Sequence, residues 1–154
     1  MGTLFAIQEA IKNSAGIDAL FLLASPLRLF IKPTMLITSM KVFFGNIKPT
    51  DHVALAAKSA YGIKNDKRIW KYIGWIPRYL ELFAEIRKTR KIVSQLAVPC
   101  YVFQSKNDEM VSLSACKALK QSVHTHINIL ENSSHYYYAE KDYQFVLTEF
   151  EKLI

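Results

Sequence analysis

Asp108 and His135 are the two residues of this sequence whose types, order and spacing could do chemistry together. Each stands in a polar turn just after a run of strand-forming residues. Asp108 closes Ser105-Lys106-Asn107-Asp108 behind VPCYVFQ (98–104), and His135 closes Asn132-Ser133-Ser134-His135 behind HTHINILE (124–131). A carboxylate beside an imidazole fixes the ring tautomer and stabilises the imidazolium, so the ring can take a proton from a nucleophile. Two of the three parts of such a set are therefore visible. Glu109, next to Asp108, is the competing acid. His124 and His126 share a face if extended, but no third ligand follows at a workable spacing, and no metal is expected. His52 reads as a surface residue. Of Tyr136, Tyr137 and Tyr138, at least one is expected to pack under the His135 loop while another meets solvent. Cys100 and Cys116 lie outside any Cys-x-x-Cys pattern and read as buried thiols.

For the acid and the imidazole to meet, the strands before them must be neighbours. Residues 3–13 place Leu4, Ile7 and Ile11 at helical spacing, and Asn13-Ser14-Ala15-Gly16 supplies a stop. IDALFLLA (17–24) is a short continuous apolar run, which predicts a strand buried on both faces and closed by Pro26. Between Leu27 and Gln95 the spacing is helical, with stretches over 35–44, 50–61, 67–73 and 77–95. Strands then follow at 98–104 and 124–131. Ser112 and Ser114 are candidate N-caps for a helix over 115–122, and 142–154 is an amphipathic helix. Alternating helices and strands outside a helical insert predict an α/β fold with a parallel sheet covered on both faces. In such sheets ligands sit at the carboxyl ends of the strands, where both turns lie.

The chain has 154 residues, 51% of them apolar, with 5 Gly and 5 Pro. That length and composition support one buried core and exclude a disordered or collagen-like chain. The longest apolar run, Ala19 to Leu27, is about half of what a bilayer crossing requires, so no transmembrane segment is expected. The amino terminus has neither a basic lead-in nor a small-residue cleavage site, which makes a cytoplasmic chain the expectation. The net charge of +7 is concentrated in residues 58–91, with ten basic and three acidic side chains and both tryptophans, Trp70 and Trp75. Basic and aromatic residues interleaved in this way suit nucleic acid, a lipid surface, an anionic substrate or a solvated helical face. Nucleic acid is not the expected partner.

VPCYVFQSKNDEMVSL, LENSSHYY and the upstream IPRYLELFAEIRKTRKIVSQLAVP together resemble the carboxyl-terminal part of an α/β-hydrolase, in the carboxylesterase and monoacylglycerol lipase group. The resemblance covers nearly the whole chain. It implies about three parallel strands with flanking helices in residues 1–26 and 96–154, and a helical cap over 27–95. It also implies Asp108 and His135 as acid and base, in the family order Ser, Asp, His. The family's Gly-x-Ser-x-Gly elbow is absent. Met1-Gly2 matches the two residues that follow the nucleophile, so the resemblance implies a chain cut directly after its catalytic serine, with Met1 at the oxyanion-hole position. Ser14, Ser25 and Ser39 lack the flanking glycines an elbow needs. The implied reaction is hydrolysis of a small-molecule carboxylic ester through an acyl-enzyme, without a cofactor. Cap residues such as Phe30, Met35, Phe43, Phe44, Trp70, Trp75 and Phe83 would line the acyl pocket. As given, the chain is expected to be inactive, and its unpaired sheet edge invites self-association. The rival expectation is a non-enzymatic binding module built on residues 58–91.

Overall fold

The computed structural model describes residues 2–60 and 69–153. Its centre is a three-stranded parallel sheet of order β1-β2-β3, made of β1 (Leu20–Leu23), β2 (Cys100–Ser105) and β3 (Thr125–Leu130). Leu20 is in register with Cys100, and Cys100 with Thr125.

Side chains alternate across the strands, so each face of the sheet has its own helices. On one face Leu20, Leu22, Cys100 and Val102 meet Leu4, Ile7 and Ala10 of α1 (Gly2–Lys12). The same face takes Ile86 of α4 (Ile76–Ile92) and Leu119 of α5 (Ala115–Leu119). On the other face Phe103 and Leu130 pack with Val146 of α6 (Glu140–Glu151), and Phe21 joins them. Covering both faces is what lets β2 be apolar from Cys100 to Phe103. Among the described residues no helix is long and apolar enough to cross a membrane.

Residues 27–95 contribute α2 (Pro33–Phe44), α3 (His52–Ala60), a 3₁₀ helix over Ile69–Trp75, and α4. Part of the helical stretches expected over 50–61 and 67–73 falls on residues 61–68, outside the described residues. α2 stops at Gly45, whose φ of 72° suits a residue without a Cβ. α3 starts at Asp51, which accepts a hydrogen bond from the Ala54 amide at 3.1 Å. Although α4 belongs to the insert by sequence, Gln8 of α1 donates to Glu85 and Thr89, tying that helix to the sheet layer.

Three local expectations need correction. β1 is shorter than the expected 17–24: over Leu20–Leu23, Leu20 and Leu22 are buried on one face and Phe21 packs on Phe103 and Phe150 on the other, while its last residue, Leu23, is exposed. Ser114 occupies the N-cap of α5 without a capping hydrogen bond; its hydroxyl donates instead to Ser112 Oγ at 2.9 Å. The helix expected over 77–95 ends at Ile92 and tightens into a 3₁₀ turn over Val93–Gln95.

Candidate active site

β2 ends at Ser105, and the tight turn that follows returns the Asp108 amide to the Ser105 carbonyl at 3.3 Å. The Asp108 side chain is thereby folded back beneath the strand end, only 1% exposed. Its Oδ1 accepts the amides of Met110 at 2.8 Å and Val111 at 2.7 Å, while Gln104 Nε2 donates to Oδ2 at 3.2 Å. Burial opposes ionisation of this carboxyl. The hydrogen bonds from His135, Val111 and Met110, with the charge of the imidazolium, outweigh it and hold the pKa below the ordinary 3.8.

The loop after β3 is pinned from the other side. Asp142, on the first turn of α6, accepts the Asn132 amide at 2.8 Å and the Ser133 hydroxyl at 2.7 Å. Ser133 Oγ in turn accepts the Ala139 amide, and the Ser134 amide donates to the Tyr137 carbonyl. His135 rides on this closed loop. Its Nδ1 lies 3.0 Å from Asp108 Oδ2 and 3.1 Å from Oδ1. An ionised carboxylate only accepts, so Nδ1 carries the hydrogen and Nε2 is the basic nitrogen of the neutral ring. The backbone of His135 is held too, its amide donating to Glu109 Oε2 at 3.0 Å. The Tyr136 ring meets the imidazole edge to face at 4.9 Å.

His135 opens into a cavity of about 440 Å³ with Gly2 and Thr3 of the first turn of α1, Ala24, Leu29, Leu82 and Phe83 on its walls. Ala24, at the end of β1, has a φ of 48°, a left-handed conformation that costs a residue with a Cβ about 1–2 kcal/mol. Its neighbour Ser25 is buried, with no hydrogen-bond partner for its hydroxyl. Among the described residues no serine lines this cavity.

Most of the residues expected around an acyl pocket lie away from this cavity. Phe30, Phe44, Trp70 and Trp75 are exposed and Met35 is buried, and none of the five borders the cavity. The reason is local. The stretch after β1 bridges Leu29 to Val111 in extended form, so Leu29 and Ile31 face the cavity and Phe30 between them points away. Phe83, from the same expected set, does border it. Met1 lies outside the described residues. His52 is exposed and stacks on Tyr137, and His126 stacks on Tyr101. All three tyrosines of residues 136–138 are half-buried, Tyr138 against the Phe103 cluster. Cys100 and Cys116 are buried thiols, with burial pushing Cys100 up to about 12. Among the described residues no three His, Cys, Asp or Glu side chains are grouped as metal ligands.

Gln104, Asp142 and the amide-holding role of Glu109 had no part in the sequence reading. A glutamine closing an otherwise apolar strand was the signal for the first. The other two depend on contacts between segments far apart in the chain.

No protein-family model and no curated protein sequence matches the chain. Solved structures do. The monoacylglycerol lipase of Paleococcus ferrophilus superposes with a TM-score of 0.65 at 12% identity, over 98% of this chain and 64% of that one. The 2-hydroxy-6-oxo-6-phenylhexa-2,4-dienoate hydrolase of a Rhodococcus strain gives 0.67 at 15% identity, over 99% and 60%. The chain has an α/β-hydrolase fold. The enol-lactonase of Burkholderia xenovorans, at 0.54 and 14% identity, is similar over 99% of this chain and 62% of its own. This α/β-hydrolase-fold chain thus spans less than two thirds of the length of the structures it resembles.

Proposed function

We propose that Asp108 and His135 are the acid and base of a serine hydrolase acting on small-molecule carboxylic esters, with the serine supplied ahead of α1. The observation that carries this reading is the pairing of buried Asp108 with half-buried His135, facing a cavity that the amino end of α1 also borders. In the reaction, His135 Nε2 takes the serine proton as Oγ attacks the ester carbonyl. The imidazolium then protonates the departing alkoxide, leaving an acyl-serine and an alcohol. Water repeats the cycle, releasing the carboxylic acid and restoring the serine. Asp108 stays ionised throughout and keeps Nδ1 protonated. Amides at the amino end of α1, Met1 among them, would stabilise the oxyanion, since a helix start presents free N–H groups and positive potential. The acyl group fits between Leu29, Ile31, Leu82 and Phe83. No cofactor enters any step. The binding module on residues 58–91 ranks second as a complete account, because nothing in it requires Asp108 buried against His135.

Losing the serine costs such a triad about 10⁶ in kcat. The test starts with the DNA upstream of Met1. A Gly-x-Ser read in frame, with strand patterns before it, gives an extended chain expected to hydrolyse a short aryl ester and to label on that serine with a fluorophosphonate. Asp108→Ala and His135→Ala should each abolish the hydrolysis. A stop codon in place of that sequence, or activity that survives both substitutions, would overturn the reading.

A further inference from the structure

We propose that the outer edge of β3 takes up an extended segment of a partner protein, one with acidic side chains at alternate positions, as a strand added to the sheet. The Cys100 amide donates to the His124 carbonyl and the Lys106 amide to the Leu130 carbonyl, both at 2.9 Å. In a parallel ladder this pattern turns the backbone groups of His124, His126, Asn128 and Leu130 toward β2. The amides and carbonyls of Thr125, Ile127 and Ile129 therefore point the other way, where β3 has no ladder partner among the described residues. Open edges are ordinarily blunted by lysine, proline or a bulge. THINIL has neither residue, and its register with β2 runs unbroken from Thr125 to Leu130.

The side chains of the same three residues lie on the α5 face of the sheet, since alternate residues of a strand share both a face and an edge. There they border a groove of about 380 Å³ with Leu113, Lys117 and Lys120. Both charged residues of the groove are lysines, and both are exposed. Lys117 and Lys120 stand one helical turn apart, a spacing of about 5–6 Å between Cβ atoms. An added strand repeats its same-face side chains about every 6.6 Å, so two successive acids on that face reach the two lysines. An apolar third then covers Leu113, which is 40% exposed, or Ile129, which is 39% exposed. Main-chain hydrogen bonds would supply affinity and the groove specificity. A second copy does not suit this edge. Two-fold pairing of β3 with itself lays the two α5 helices side by side on one face of the joined sheet, lysine against lysine. The inference does not depend on ester hydrolysis.

The probe is a fluorescein-labelled Val-Thr-Glu-Thr-Glu-Thr-Val peptide, whose valines and glutamates share one face in either strand direction. Its anisotropy with the full chain should show saturable binding that weakens with salt. Changing Lys117 and Lys120 together to Glu should weaken it about tenfold or more. The same change at Lys48 and Lys58, exposed and far from β3 in sequence, should leave it intact. Only one alternate set of peptide amides can face β3, so N-methylation of the valines and glutamates and N-methylation of the threonines should differ sharply in effect. Ile129→Pro removes an outward N–H that β2 does not use, so this variant should keep a cooperative melt and lose the peptide. Four outcomes would overturn the proposal: no binding, equal binding of the peptide with Lys in place of Glu, equal effects of the two N-methylations, or binding retained by folded Ile129→Pro.

Discussion

Asp108 is gripped by its neighbours from three directions, the amides of the turn ahead of it, the Gln104 amide of its own strand and the imidazole of the next loop. A carboxyl whose folded pKa is lowered contributes stability that is complete above its ordinary value of 3.8 and is lost as pH falls through the folded value. Urea unfolding followed from neutral pH down to about pH 2 should therefore show the chain weakening in acid, and Asp108→Asn weakening less over the same interval. Parallel curves for the two proteins would remove the argument. Glu109 holds the other partner, His135, through its backbone. Its 3.0 Å hydrogen bond to the His135 amide has an acceptor that Gln can also supply and Ala cannot. Glu109→Ala should cost about 1–3 kcal/mol and speed exchange of the His135 amide, while Glu109→Gln should keep most of the protection. Equal exchange rates in both variants would show that the contact holds nothing. The roles of Asp108 and His135 could be framed from sequence because each follows a strand-forming run. The role of Glu109 could not, since its acceptor function exists only once the two loops are side by side.

At the scale of elements, strand identity was legible where composition was one-sided. HTHINILE contains β3 with one residue of overhang at each end, and VPCYVFQ covers β2 except for its last residue, Ser105. The insert was legible as helical from periodicity alone. What periodicity could not supply was partnership. The apolar residues of 27–95 announce burial somewhere, yet Phe30 and Phe44 face outward, while Leu29 and Ile31 reach the His135 cavity through an extended bridge to Val111. Asp142 was readable as part of an amphipathic helix and turned out to anchor the His135 loop, a contact set by how α6 docks. The unpaired edge expected of the first strand falls on β1, which among the described residues has a ladder partner only in β2 and ends in exposed Leu23. Open, apolar edges pair with other chains, and lysine on such an edge discourages it. Sedimentation at rising concentration should show this chain associating and Leu23→Lys remaining monomeric. A monodisperse, cooperatively melting parent chain would count against an active edge.

Across the whole molecule, one layer serves two purposes. α1 covers the sheet beside β1 and presents its first turn to the His135 cavity, while α4 packs on α1 and turns its other side to solvent. Residues 27–95 are thus fastened through α4 to the same helix that borders the site, by the hydrogen bonds of Gln8 to Glu85 and Thr89. The strand register carries a further consequence, in time rather than in space. Cys100 pairs with Thr125 across a connection that holds only α5, but with Leu20 across a connection that holds the entire insert. Closing the shorter loop costs less chain entropy, and local pairings form before distant ones. The β2-α5-β3 unit should therefore assemble first and wait for β1, leaving the Leu20–Leu23 segment unpaired during the slowest part of folding. In pulse-labelled refolding, the amides linking β2 to β3 should be protected before those linking β1 to β2. Simultaneous protection would mean that the insert closes as fast as the short crossover. During that interval β1, four apolar residues in a row, is the segment most open to capture by another molecule, so refolding yield should fall as protein concentration rises.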